Sequence, residues 1–177
     1  MKNRIIIETE NLILRYFSMD DVQKVLDMSK EEGMLKWIPD QAYEDEQETA
    51  EVIEFLRNQY TDEPAPDKAP YVLGLELKNS GELIGHVGLS PTEDGVEIGY
   101  AVESKRQGSG YATEAVLAMS DWAIDKLGLP AVLGIVASEN MGSCRVLEKV
   151  GYVLIDEKEK NAFGRQCLCR TYIMDKN

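Results

Sequence analysis

Cysteine is scarce in this sequence, with three residues at Cys144, Cys167 and Cys169. One sits inside a helical pattern and two at strand-like alternate spacing, which argues against a disulfide framework and provides no paired metal-ligand arrangement. Histidine is scarcer still, His86 alone. No apolar run is long enough to cross a bilayer, and Lys2, Arg4, Glu8 and Glu10 interrupt any signal-peptide core, so a cytoplasmic protein with no membrane contact is expected. Positive charge is also short: 19 Lys and Arg stand against 32 Asp and Glu, a net charge of −13. Such a balance argues against a broad nucleic-acid surface and favours solubility or basic partners. Internal repeats and low-complexity tracts are absent too.

What is present reads as one soluble globular domain over residues 1–177, 44% apolar and 29% charged. Residues 12–17 alternate as a first strand, and Ser18 or Asp20 is placed to cap a helix carrying Val22, Val25, Leu26 and Met28. A second helix is expected over residues 46–60, with Ala50, Ile53, Phe55 and Leu56 as its apolar positions. Glu44, Glu46, Glu48, Glu51 and Glu54 form its solvated face, and residues 61–70, rich in Pro and Asp, form a loop. Residues 71–77, 83–89 and 96–102 read as an antiparallel meander. Residues 152–156 and 167–174 read as a closing strand pair around a linker at 158–165. The order of elements gives an α+β (mixed α/β) architecture, a central, mostly antiparallel sheet of about seven strands flanked by about four helices.

The most informative stretch is Arg106-Gln107-Gly108-Ser109-Gly110-Tyr111-Ala112. Before it, Val96, Ile98, Tyr100 and Val102 alternate with Glu97, Gly99 and Ala101. After it, Ala112, Ala115, Val116, Met119, Ala123 and Ile124 recur at helical spacing. Strand, glycine loop and helix together make an anion site, because the first helical turn has unpaired N–H groups and the positive end of the macrodipole. Gly108 and Gly110 allow close approach, and Lys105 and Arg106 add charge. The plainer reading is a glycine-eased turn before an ordinary amphipathic helix. Downstream, residues 131–136 read as a buried strand, and Asn140 opens a short helix carrying Cys144, Val146, Leu147 and Val150 inward and ending at Gly151.

With Gly108-Ser109-Gly110-Tyr111-Ala112-Thr113-Glu114-Ala115 and the segment Asn140-Met141-Gly142-Ser143 through Lys149-Val150-Gly151-Tyr152, the chain resembles the GNAT N-acetyltransferases. The likeness extends to the subgroup that acetylates ribosomal-protein N-termini and polyamines, reaches back to Glu8-Thr9-Glu10-Asn11-Leu12-Ile13-Leu14-Arg15, and covers nearly the whole chain. It implies acetyl-CoA as cosubstrate, with its diphosphate on the glycine loop and its pantetheine arm along the backbone of Tyr100, Ala101 and Val102. Lys105 stands where the family usually has Gln or Arg, which keeps the charge but loses the planar fork.

Acetyl transfer requires a proton acceptor for the amine, a donor for the developing oxyanion and a proton for the departing thiolate. Glu97 is the first candidate base, since the resemblance implies a glutamate on this strand; the plainer alternative is a sheet-surface glutamate. His86 is a second candidate, as a proton relay. The resemblance implies Ser143 as general acid, and Asn140 is a further cosubstrate contact; both also suit helix capping. The expected partner is a cationic amine, a peptide N-terminus or polyamine, drawn by the net charge and by the acidic residues 44–54 near the pocket mouth, with no metal. Monomer and homodimer stay open. One alternative is a dinucleotide-binding enzyme, although the third glycine of that fingerprint would fall at Thr113. Another is a non-catalytic acyl-CoA-binding module.

Overall fold

The computed structural model describes residues 4–176. The chain opens with an antiparallel pair, β1 (Ile5–Glu8) and β2 (Leu12–Arg15), in which Leu12 and Leu14 are fully buried. A 3-10 turn then leads into α1 (Val22–Ser29), α2 (Glu32–Trp37) and α3 (Glu46–Arg57). The meander follows as β3 (Tyr71–Leu77), β4 (Leu83–Thr92) and β5 (Gly95–Val102). Last come α4 (Tyr111–Asp125), β6 (Ala131–Ala137), α5 (Met141–Val150), β7 (Val153–Ala162) and β8 (Arg165–Asp175). All strands join one sheet in the order β1-β2-β3-β4-β5-β6-β8-β7, antiparallel throughout except between β5 and β6.

The mostly antiparallel α+β sheet is the expected one, with eight strands and five α-helices among the described residues. The differences have local causes. Ile5, Ile6 and Ile7 are consecutive, so β1 lacks the alternation that marks a strand. Six residues of α2 are too few to display a helical period. Residues 158–165 are not a linker: β7 continues to Ala162 and turns through Phe163 (φ 55°) and Gly164 (φ 76°) directly into β8. A two-residue turn with both φ positive matches the twist of a hairpin. The polar run Asp156–Lys160 reads as a linker because β7 is an edge strand, exposed along most of its length, that needs no apolar face. Phe55 points outward, half exposed, while Ile53 carries the burial of α3.

The core lies between the sheet and α4, whose Ala115, Val116, Met119 and Ala123 are fully buried. Each large apolar side chain removed from water there is worth about 1.5–3 kcal/mol. A second cluster of Phe17, Ile53 and Leu83 seats α1 and α3 on the opposite side. Cys144, Cys167 and Cys169 are all buried free thiols, as a small hydrophobe at position 144 requires. The N-terminal motif also has a structural task. Glu114, in the first turn of α4, accepts from the Thr9 hydroxyl (2.5 Å), the Asn11 N–H (2.7 Å) and the Asn11 side-chain amide (3.0 Å). Arg15 is buried and forms a two-point pair with Asp21, at 2.9 and 3.0 Å, while also reaching Glu76. No helix among the described residues is long and apolar enough to cross a membrane.

Candidate active site

The site begins where two parallel strands part. Among the described residues, β5 and β6 share one register pair, Glu97 opposite Leu133. The Glu103 N–H donates to the Ile84 carbonyl, and antiparallel alternation then turns the amides of Ala101, Gly99 and Glu97 toward β4. The amides of Tyr100 and Val102 therefore face the edge from which β6 has diverged. The Gln107 side-chain amide donates to the Val102 carbonyl on that edge (3.0 Å). The opening is a cleft of about 620 Å³ lined by β5, the glycine loop, the first turns of α4 and α5, the end of β6 and residues of α2.

Gly108 (φ 80°) and Gly110 (φ 82°) both adopt the left-handed conformation that glycine takes without penalty. No atom lies within 4 Å of where a Cβ would stand on either one, so this backbone borders open space. Gly110 is the N-cap of α4, and no side chain caps the helix from that position. The first-turn amides of Tyr111, Ala112 and Thr113 therefore face the cleft with the macrodipole behind them. Ala101, Arg106 and Gln107 also line the cleft, whereas Lys105 and Ser109 do not.

The two cations expected to assist an anion are already engaged. Lys105 Nζ is 3.0 Å and an Arg106 nitrogen 2.5 Å from the Glu82 carboxylate, while Lys24 Nζ is 2.7 Å from Glu103. Hydrogen bonds from Lys105, Arg106 and Lys24 hold the Glu82 carboxyl down at about 2. The network thus braces the loop. Arg145 and Lys149, one turn apart on α5, line the cleft and form no ion pair among the described residues. Their i, i+4 spacing was visible in the sequence, but only the divergence of β5 and β6 makes that face a cleft wall.

At the other end of the cleft, Glu97 is half-buried and its carboxylate makes no hydrogen bond among the described residues. Burial pushes its carboxyl pKa up, with Lys160 opposing. Trp37 of α2 and Phe163 at the hairpin tip pack against the same small cluster and wall this end. His86 is elsewhere: it lines an adjoining cavity of about 40 Å³ with Tyr43 and Met28, and its imidazole has no hydrogen-bond partner among the described residues. Loss of hydration pushes its imidazole down to about 4. The acidic residues 44–54 are exposed as expected but do not reach the cleft, because α3 packs on α1.

Asn140 caps α5, its side-chain oxygen accepting from the Ser143 N–H at 3.2 Å. Ser143 itself lines the cleft. Across from it, the Tyr100 hydroxyl donates to the Ser143 carbonyl (3.1 Å), and burial pushes that phenol up to about 12. The arrangement places a carboxylate, an open strand edge, two helix N-termini and a serine hydroxyl around one cavity.

Known proteins share this architecture. The N-acetyltransferase YnaD of Bacillus subtilis, itself uncharacterised, is 27% identical over 164 residues, covering 92% of this chain and 87% of its own length. The structure of RimL, a ribosomal L7/L12 alpha-N-protein acetyltransferase in complex with coenzyme A, superposes with a TM-score of 0.80 at 16% identity, covering 97% of this chain and 98% of that one. A chimera of the Vibrio cholerae spermidine N-acetyltransferase SpeG and hSSAT superposes with a TM-score of 0.74 at 22% identity, covering 93% and 95%. These two superpositions establish a common fold. The family model described as an acetyltransferase (GNAT) domain matches residues 11–153, and the chain belongs to the GNAT acetyltransferase family.

Proposed function

We propose that this N-acetyltransferase uses acetyl-CoA and passes the acetyl group directly to a primary amine, the whole chain acting as one domain. The observation that carries the reading is the juxtaposition of the unpaired edge of β5 with the glycine-capped N-terminus of α4. The residues fit the donor. Amides of the loop and first turn from Gly108 to Ala112 would hold the diphosphate, the α5 cations Arg145 and Lys149 would face its negative charge, and the Tyr100 and Val102 edge would hold the extended arm. Bound there, acetyl-CoA supplies an activated thioester carbonyl.

This chain's residues then have three tasks. The backbone N–H groups on the open edge of β5 stabilise negative charge developing on the carbonyl oxygen. Glu97 receives the proton that the amine loses as its nitrogen bonds to the carbonyl carbon. As the C–S bond breaks, the Ser143 hydroxyl gives a proton to the sulfur and recovers one from water. Ser143→Ala is expected to lower kcat roughly 10- to 100-fold while leaving the acetyl-CoA Kd within about twofold, because the lost proton matters only as the thiolate departs. The N-cap is preserved, since it uses the Ser143 backbone and the Asn140 side chain. Unchanged kcat would leave Ser143 as a helix residue alone.

RimL acts on a protein N-terminus and SpeG on spermidine, and both acceptors present a primary amine. The net charge of −13 supports a cationic acceptor through its long-range field, since residues 44–54 provide no local anionic wall. Thiol release measured with N-terminal peptides and polyamines at two salt concentrations tests the reading. Release is expected with amines, with kcat/KM for basic acceptors falling as salt shortens the Debye length from about 30 Å to about 8 Å. Binding of acetyl-CoA without release in the presence of any amine would mean an acyl-CoA-binding module instead.

A further inference from the structure

β5 lies inside the sheet, between β4 and β6, and helices pack on both sides of that sheet. Gly99 is nevertheless exposed. Its neighbours on the same face are Glu97 and Ala101, two positions away on either side and so about 6.7 Å along the strand each. A Cβ built on Gly99 would meet no atom within 4 Å, and its φ is not in the left-handed region, so neither crowding nor backbone conformation demands a glycine here.

The register partner of Gly99 on β4 is also a glycine, Gly88, but the two differ. A Cβ on Gly88 would stand 2.6 Å from Val72 Cγ2, so that gap is filled by a side chain from β3. Only the space above Gly99 is open, and it belongs to the cleft beside Glu97. Tyr100 points to the opposite face, where its hydroxyl donates to the Ser143 carbonyl on α5.

Resting on the amine-acetylation reading above, we infer that Gly99 determines acceptor specificity: the amine reaches Glu97 across this bare stretch of strand, and the absence of a side chain admits acceptors with a substituent on the amine-bearing carbon. Peptide N-termini belong to that class, whereas the terminal amines of polyamines have an unbranched carbon. A methyl group at position 99 would narrow the passage, and a larger side chain would block it, with the edge amides and the α4 N-terminus left in place.

The test compares wild type with Gly99→Ala and Gly99→Leu for acetyl-CoA affinity, melting temperature, and kcat/KM toward an N-terminal peptide and spermidine. All three proteins are expected to bind acetyl-CoA within twofold of one another. Gly99→Ala should lower kcat/KM for the peptide roughly tenfold and for spermidine by less than threefold, the size of effect that one methyl group has on a fitted pocket. Gly99→Leu should lower both by roughly 100-fold or more. If Gly99→Leu binds acetyl-CoA and acetylates both acceptors at wild-type rates, the specificity role is wrong while the N-acetyltransferase reading stands. Equal losses for peptide and spermidine in Gly99→Ala would also overturn it. Wild-type protein that acetylates no amine would overturn both. Gly99→Ala keeps the comparison open if leucine destabilises the strand, since no atom contests the added methyl.

Discussion

Gly110→Asp is expected to erase the stabilisation that acetyl-CoA gives the wild-type protein. At a ligand concentration 100 times Kd, binding adds about 2.7 kcal/mol, which for a domain of this size raises Tm by roughly 5–10 °C. Gly110 has φ 82° and borders open space at the N-terminus of α4. Aspartate there puts a carboxylate where the helix dipole and unpaired amides would hold the diphosphate, so it competes as an internal anion and repels the external one. The expected shift falls below about 1 °C, corresponding to an affinity loss of roughly 100-fold or more. Gly110→Ala separates charge from backbone strain. It should lower the ligand-free Tm, since a non-glycine residue in the left-handed region costs about 1–2 kcal/mol, yet keep most of the acetyl-CoA shift. Equal shifts in wild type and Gly110→Asp would remove the diphosphate from this loop.

The parts of the fold legible in the sequence are those written by local periodicity and caps. α4 and α5 carry their apolar residues at helical spacing, Asn140 caps one of them, and Gly110 and Gly151 take the left-handed conformations that glycine permits. The alternation at residues 96–102 likewise identifies β5. Features that depend on distant partners were not legible. Nothing near Lys105 and Arg106 reveals that Glu82, in the turn just before β4, claims both. Arg145 and Lys149 gain their meaning from a divergence between β5 and β6 that neither strand's pattern encodes. The acidic run at 44–54 is a helix face in both readings, yet its distance from the cleft follows from the packing of α3 on α1. His86 stood out in the sequence as the single histidine, but its place in a small cavity beside the cleft follows from the packing of β4 against the α1–α2 region.

Glu97→Gln is expected to lower activity and raise stability, and the two effects have one cause. Burial raises the carboxyl pKa of Glu97 above its ordinary 4.5, with Lys160 partly opposing. A carboxyl with a higher pKa folded than unfolded favours folding while protonated. That contribution is fully present below the unfolded value of 4.5 and is lost as pH rises through the raised folded value. Once ionised, the carboxylate sits in a poorly solvated place, and glutamine, of the same shape and without charge, relieves it. Tm of Glu97→Gln should exceed wild type at pH 7 to 8 and match it below about pH 4.5. Activity moves the other way: kcat/KM falls roughly 10²- to 10⁴-fold, the contribution of a positioned general base, with the acetyl-CoA Kd unchanged. The pH profile identifies the residue. Lys160→Met removes the charge that favours the carboxylate, so the acid limb of kcat/KM should move to higher pH, while the acceptor's own ionisation, common to both proteins, stays put. A raised Tm with undiminished kcat/KM would make Glu97 an ordinary half-buried carboxylate and leave water to remove the amine proton.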